Sequence, residues 1–133
     1  MVKKIDHIGI AVKDLEERIP LYRDIFGLTL LGIEDLPDRG LRIALFDCGG
    51  VHLELLQGMT PESTIAAFVE KKGEGLHHIS FGVEDIRGSL EALAASGIGL
   101  IDAEPRPGLG GEMIAFLKPA STGRVLIELS QKK

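Results

Sequence analysis

The sequence repeats itself at a constant offset of 71 residues, and this repeat constrains the fold more than any other feature. The segment Ile5–Leu15 matches Leu76–Ile86, with His7 and His78 at equivalent positions. In both segments apolar residues alternate with polar or small ones, which is typical of a β-strand, and an aspartate suited to cap a helix follows. Each half of the chain is therefore predicted to begin with a strand that leads into a helix.

The two halves also match beyond this first helix. Each helix is followed by a glycine and a short apolar run, Gly27–Leu31 in one half and Gly97–Ile101 in the other, and then by two further strands. The closing strands, His52–Gln57 and Leu126–Gln131, each carry a glutamate and are offset by 74 residues. This order predicts an α+β fold of two tandem β-α-β-β-β modules, at about 3–58 and about 75–131. A connecting helix at about 60–73 is predicted to begin with Thr60 as its N-cap.

Three consecutive strands in each module exclude a simple parallel β-α-β-α arrangement. They predict a curved, mixed sheet with helices on its outer side and a metal-containing cavity on its inner side. A chain of 133 residues suits one compact domain, so residues 1–133 are expected to form a single domain.

Composition excludes several classes of function. The net charge of -5 and the pI near 5.3 disfavour nucleic-acid binding through a broad basic field. No apolar run approaches the roughly 20 residues of a membrane span, and no signal peptide is evident, so we expect a cytoplasmic protein without a membrane partner. The single cysteine, Cys48, cannot form an intrachain disulfide and is expected to be a small buried residue.

The strand alternation selects candidate site residues. In the first strand, His7 shares a face with Gly9, while the apolar residues that would pack under the helix occupy the opposite face. Adjacent strand residues point apart, so the repeat selects His78 rather than His77 as the partner of His7.

Two glutamates lie in the middle of otherwise apolar strands. Glu54 and Glu128 would be costly to bury unless each had a cation or a hydrogen-bonding partner. With His7 and His78 they form a set of nitrogen and oxygen ligands suited to a divalent metal. Cobalt, nickel, manganese, iron and zinc all fit such a set.

The arrangement resembles the vicinal oxygen chelate (glyoxalase/bleomycin resistance/dioxygenase) superfamily and, within it, the methylmalonyl-CoA epimerase family. The resemblance covers nearly the whole chain. The segments that carry it are Glu54–Leu56, Pro61–Phe68, Gly75–Ile79, Gly108–Gly111, Ile114–Pro119 and Thr122–Leu129.

This resemblance implies an isomerase of propionate metabolism that exchanges the C2 proton of methylmalonyl-CoA through a metal-stabilised enolate. It implies an acyl-CoA substrate, one divalent ion per site with cobalt favoured, and a homodimer. The implied metal ligands are His7, Glu54, His78 and Glu128, and Glu128 is also the implied catalytic base. No separate cofactor-binding residues are implied.

One departure leaves the second proton-transfer group open. Some members of the family have a glutamate at the position where this chain has Ile43. The isoleucine side chain cannot carry a proton. His52, Glu112 or a metal-bound water could replace it. The glycine loop Gly108–Gly111 is either a flexible hairpin connection or a segment whose backbone amides approach the substrate. Basic candidates for coenzyme A are Arg42, Lys118 and Arg124.

Two other functions remain open from the sequence. A glyoxalase I-type lactoylglutathione lyase uses the same order of His, Glu, His and Glu ligands. A non-enzymic member of the superfamily would use the cavity to sequester a small molecule, although such proteins usually lack the complete ligand set.

Overall fold

The computed structural model describes all residues from 1 to 133 and contains two compact units. The first unit comprises residues 7–77, and the second comprises residues 1–6 together with residues 78–133. The strands are β1 (Lys4–Ala11), β2 (Thr29–Leu36), β3 (Leu41–Cys48), β4 (Val51–Gly58), β5 (Gly75–Gly82), β6 (Arg106–Pro107), β7 (Met113–Phe116) and β8 (Ile127–Gln131). The α-helices are α1 (Leu15–Pro20), α2 (Thr64–Lys72) and α3 (Ile86–Ala95).

In the first unit the strands lie in the order β2-β3-β4-β1. Strand β1 is parallel to β4, and the other neighbours are antiparallel. Asp14 caps α1 through its side chain, which accepts a hydrogen bond from the amide of Glu16. The helix then continues as one π-helical turn, Leu21–Ile25. The hydrophobic core between α1 and the sheet consists of Val12, Leu15, Ile19, Ala44, Phe46 and Leu55.

The second unit repeats this pattern with the order β5-β8-β7-β6. Strand β5 is parallel to β8, whereas β7 is antiparallel to both β8 and β6. Asp85 caps α3 as Asp14 caps α1, accepting a hydrogen bond from the amide of Gly88. The core beneath α3 consists of Val83, Ile86, Leu90, Ala115, Leu117 and Leu129. The predicted α+β class and the β-α-β-β-β order of each half are confirmed.

Three local predictions were wrong. Helix α2 begins at Thr64 with Ser63 as its N-cap, because the Ser63 hydroxyl accepts a hydrogen bond from the amide of Ala66, whereas Thr60 lies in the preceding turn. The run Gly97–Ile101 forms only an isolated bridge at Leu100, and the strand that follows α3 is Arg106–Pro107. Cys48 is exposed, since it ends β3 beside the turn at Gly49.

No helix of the structure is both long and apolar enough to cross a membrane.

Candidate metal centre

The first unit brings His7 and Glu54 together. In the parallel pairing of β1 with β4, His7 lies beside His52 and Gly9 lies beside Glu54. Glu54 is two residues after His52, so its carboxylate and the imidazole of His7 lie on the same face of the sheet. The Nδ1 atom of His7 lies 3.5 Å from Oε2 of Glu54, and the two side chains are only 3% and 8% exposed. A buried imidazole and a buried carboxylate therefore share one site.

This face of the sheet is the one turned away from α1. The residues that pack against the core beneath the helix include Ile10 on β1 and Leu55 on β4, which alternate with His7 and Glu54 along the same strands. On the same face of β1, His7 is followed by Gly9 and Ala11, which are small and buried.

The second unit places His78 and Glu128 in the same relation. Ser80 is aligned with Glu128 in the parallel pairing of β5 with β8, as Gly9 is aligned with Glu54 in the first unit. His78 therefore precedes the partner of Glu128 by two residues, and both side chains are buried. The ring of His78 packs edge-on against Phe116, with centroids 5.5 Å apart, and Phe116 is the antiparallel partner of Glu128.

The neighbouring histidine has different surroundings. The ring of His77 packs edge-on against Phe68 of α2, with centroids 4.9 Å apart, and the ammonium group of Lys72 lies 5.6 Å from the Phe68 centroid. His77 thus packs against the helix of the first unit, while His78 packs against Phe116 in the second.

The side chains His7, Glu54 and His78 are buried groups of the kinds that hold metal ions. Imidazole nitrogen and carboxylate oxygen bind divalent transition metals at about 2.0–2.2 Å, so two ligands of one ion lie about 3 Å apart. The observed separation of 3.5 Å between His7 and Glu54 fits this requirement with a small adjustment. The donor set is mixed nitrogen and oxygen, which suits several divalent ions.

The residues considered for the second proton transfer differ in their surroundings. Ile43 is buried and is aligned with Leu56, so it lies on the same face as Glu54 and makes that position apolar. His52 is half-buried on that face, beside His7. Glu112 is buried, and its Oε2 accepts a hydrogen bond of 3.1 Å from Nζ of Lys132.

The ion cluster around Lys132 was not predicted from the sequence. The ammonium group lies 3.3 Å from Asp6 and 3.1 Å from Glu112, and both carboxylates are buried. Burial lowers the pKa of Lys132, but the hydrogen bond and charge of Glu112, together with those of Asp6, outweigh it and leave the pKa above 10.5. The pairing of β7 with β8 was the missing signal, because it aligns Met113 with Gln131, and Glu112 and Lys132 are the next residues beyond that pair.

A second buried polar pair was also missed. The hydroxyls of Ser80 and Ser130 are hydrogen-bonded at 3.1 Å, and both residues are almost fully buried on the face that carries His78 and Glu128. In the first unit the repeat-related residues are Gly9 and Leu56. The two halves therefore differ in polarity next to their glutamates.

The glycine loop is a tight turn. Leu109–Gly111 form a 3-10 turn in which Gly110 and Gly111 have positive φ, and the amide of Gly108 donates to the carbonyl of Glu112. A Cβ at Gly108 would lie 2.8 Å from Cγ2 of Ile114, so this close approach requires glycine.

The model of the Glyoxalase/Bleomycin resistance protein/Dioxygenase superfamily matches residues 6–116. The uncharacterized protein YqjC of Bacillus subtilis (strain 168) is 39% identical over 132 residues, covering 99% of this chain and 94% of that protein. The ethylmalonyl-CoA/methylmalonyl-CoA epimerase of Cereibacter sphaeroides is 34% identical over 133 residues, covering 98% of this chain and 99% of the relative.

A solved structure extends the similarity to three dimensions. A Streptomyces coelicolor methylmalonyl-CoA epimerase variant in complex with 2-nitronate-propionyl-CoA superposes with a TM-score of 0.93 at 33% identity. The match covers 99% of this chain and 96% of that one. Together these similarities support an enzyme of the isomerase kind that acts on an acyl-CoA.

Proposed function

Because the chain belongs to the glyoxalase/bleomycin resistance protein/dioxygenase superfamily, we propose that it is a metal-dependent methylmalonyl-CoA epimerase. It interconverts (2R)- and (2S)-methylmalonyl-CoA by exchanging the proton at C2. The observation that carries this proposal is the buried His7–Glu54 pair, whose strand register recurs at His78 and Glu128. Epimerase relatives of about the same length support the choice of reaction.

The proposed metal ligands are His7, Glu54, His78 and Glu128. Their burial favours metal binding, because an ionised carboxylate held away from water is stable only beside a cation or hydrogen-bond donors. Family resemblance favours cobalt, and nickel, manganese, zinc or iron have compatible ligand preferences.

A divalent metal bound there would act as a Lewis acid and stabilise the negative charge that develops when the C2 proton leaves. Glu128 is the proposed catalytic base on one face of the substrate. Glu128 is 2% exposed, so a proton on its carboxylate would be shielded from bulk water.

For the opposite face we propose His52 as the second proton-transfer group. Its position on β4 is on the same face as Glu54 and is aligned with His7, and the residue is half-buried. Glu112 is the weaker candidate because its carboxylate is held by the ammonium group of Lys132.

The decisive experiment follows (2S)-methylmalonyl-CoA by NMR and chiral analysis in deuterated water with cobalt-loaded protein. The proposal predicts deuterium at C2 together with conversion to the (2R) epimer, and a loss of at least about 100-fold in rate for Glu128→Gln. The matched control is Glu62→Gln, which changes an exposed glutamate before α2. Absence of exchange with wild-type protein would remove the epimerase assignment.

A parallel trial uses the hemithioacetal of methylglyoxal and glutathione. Turnover of this compound without turnover of methylmalonyl-CoA would replace the epimerase with a lactoylglutathione lyase. A protein that binds ligands but processes neither compound would be a sequestering member of the superfamily.

We further propose that residues 1–133 act as a single functional domain in a cytoplasmic homodimer. Sedimentation of the metal-loaded protein tests the oligomeric state directly.

A further inference from the structure

A partly exposed arginine lies next to the second half of the proposed site. Arg106 is on the short strand β6, and its guanidinium carbon lies 5.6 Å from the centroid of the Phe116 ring. The same ring packs against His78, with centroids 5.5 Å apart. Phe116 is also the cross-strand partner of Glu128. One aromatic side chain thus connects the arginine with two proposed metal ligands.

Asp102 holds the arginine in this position. Its Oδ1 lies 3.3 Å from Nε of Arg106, and its Oδ2 accepts a hydrogen bond of 2.9 Å from the backbone amide of Phe116. The carboxylate therefore bridges the strand that carries the ring to the guanidinium that covers it. Because Asp102 is only 17% exposed, this bridge is better shielded than a surface ion pair.

The outer end of the guanidinium remains available. Asp102 faces Nε, and the terminal nitrogens Nη1 and Nη2 have no hydrogen-bond or ion-pair partner in the protein. The Arg106 side chain is 44% exposed, so these donors reach solvent while the planar group stays over Phe116. Two parallel N–H donors in a fixed plane match the oxygens of a carboxylate or a phosphate.

A nearby arginine shows what an ordinary surface pair looks like. Arg87 is paired with Glu104, their side chains are 64% and 78% exposed, and no aromatic ring lies under the guanidinium. Arg106 differs in both respects. Its orientation is fixed by a ring and by a half-buried carboxylate, which reduces the entropy lost when it binds an anion.

We propose that Arg106 binds an oxyanion of the acyl-CoA substrate and is a specificity-determining residue. This inference rests on the proposed function. The oxyanion is either the free carboxylate of the malonyl group or a phosphate of coenzyme A. Both groups offer two oxygens that can accept the two parallel N–H donors of the arginine. If the oxyanion is the carboxylate, Arg106 would favour a substrate with a second acid group over a simple acyl thioester.

The test measures binding by calorimetry to the metal-loaded protein, without turnover. The probes are malonyl-CoA, acetyl-CoA and acetyl-pantetheine, which carry respectively a carboxylate with phosphates, phosphates alone, and neither. The variants are Arg106→Met, Arg106→Lys and the control Arg87→Met. Thermal unfolding and cobalt affinity of each variant show whether the fold and the metal centre are intact.

We expect Arg106→Met to weaken malonyl-CoA binding about tenfold, because the variant loses charge-assisted hydrogen bonds that are partly exposed to solvent. Arg106→Lys should retain part of the affinity, since it keeps the charge and loses the planar fork. Arg87→Met should bind all three probes like wild type.

The pattern of loss identifies the oxyanion. A loss for malonyl-CoA alone assigns the carboxylate, and an equal loss for malonyl-CoA and acetyl-CoA assigns a phosphate. Unchanged affinities in Arg106→Met, or an equal loss that extends to acetyl-pantetheine, would overturn the inference. Failure of wild-type protein to bind either CoA thioester would instead overturn the proposed function, and the role of Arg106 with it.

Discussion

Replacing Lys132 by methionine removes an ammonium group that pairs with two buried carboxylates. Asp6 and Glu112 are each 4% exposed, and Nζ of Lys132 lies 3.3 Å and 3.1 Å from them. Removing one partner of a fully buried ion pair costs about 3–5 kcal/mol. The Lys132 side chain is 56% exposed, so solvent screens part of this interaction, and we expect a loss of about 1.5–2.5 kcal/mol.

Urea unfolding of the chelator-treated protein at pH 7 measures this loss, with Lys71→Met as the control because Lys71 is exposed on α2. The same loss corresponds to a decrease in Tm of about 5–10 °C for a chain of this size. A free energy of unfolding for Lys132→Met within about 0.5 kcal/mol of wild type would refute the reasoning.

The loss of stability in Lys132→Met should also become smaller as the pH rises. The pKa of Lys132 is raised above 10.5 in the folded protein, so its stabilisation is complete below pH 10.5 and is lost as the pH rises through the raised value. The difference in stability between wild type and Lys132→Met should therefore shrink at strongly alkaline pH. A difference that stays constant there would contradict the assigned ion pairs.

Three further predictions address packing, pH dependence and catalysis. Gly58→Ala should lower the free energy of unfolding in urea by about 1–3 kcal/mol, because the added Cβ would lie 2.8 Å from a backbone nitrogen of α2. The control Gly32→Ala places its Cβ in open space and should leave the stability nearly unchanged. The pKa of Glu74 is lowered because its carboxylate accepts a backbone hydrogen bond and pairs with an arginine. Glu74→Gln should therefore lower the free energy of unfolding by about 0.5–1 kcal/mol at pH 7, and this difference from wild type should disappear as the pH falls below 4.5. His52→Gln should slow epimerisation in deuterated water at least about 100-fold while Glu112→Gln slows it much less, and the reverse order would assign the second proton transfer to Glu112.

Much of the fold could be predicted because it rests on local patterns that occur twice. Alternation along β1 and β5 and the aspartate caps at Asp14 and Asp85 are short-range signals, and the structure contains all of them. The strand after α3 was misplaced because the apolar run near Leu100 favours a strand by composition. Its pairing is limited to one bridge with Leu117.

The candidate site was predictable to the extent that repeat symmetry determines it. The symmetry singles out four matched residues, and strand alternation separates His78 from His77. It could not reveal features that occur in one half only, such as the Ser80–Ser130 pair or the position of Arg106 over Phe116. These depend on side chains that meet across strands, where the two halves have different residues.

The most direct test of the account is a cobalt titration of the metal-free protein and of two variants, His7→Ala and His78→Ala. The account predicts one ion per chain in the wild type and a loss of affinity of at least about 100-fold in each variant, because each histidine is a ligand of the same ion. Two ions per chain, or near-normal affinity in either variant, would contradict a single centre built from matched residues of both halves.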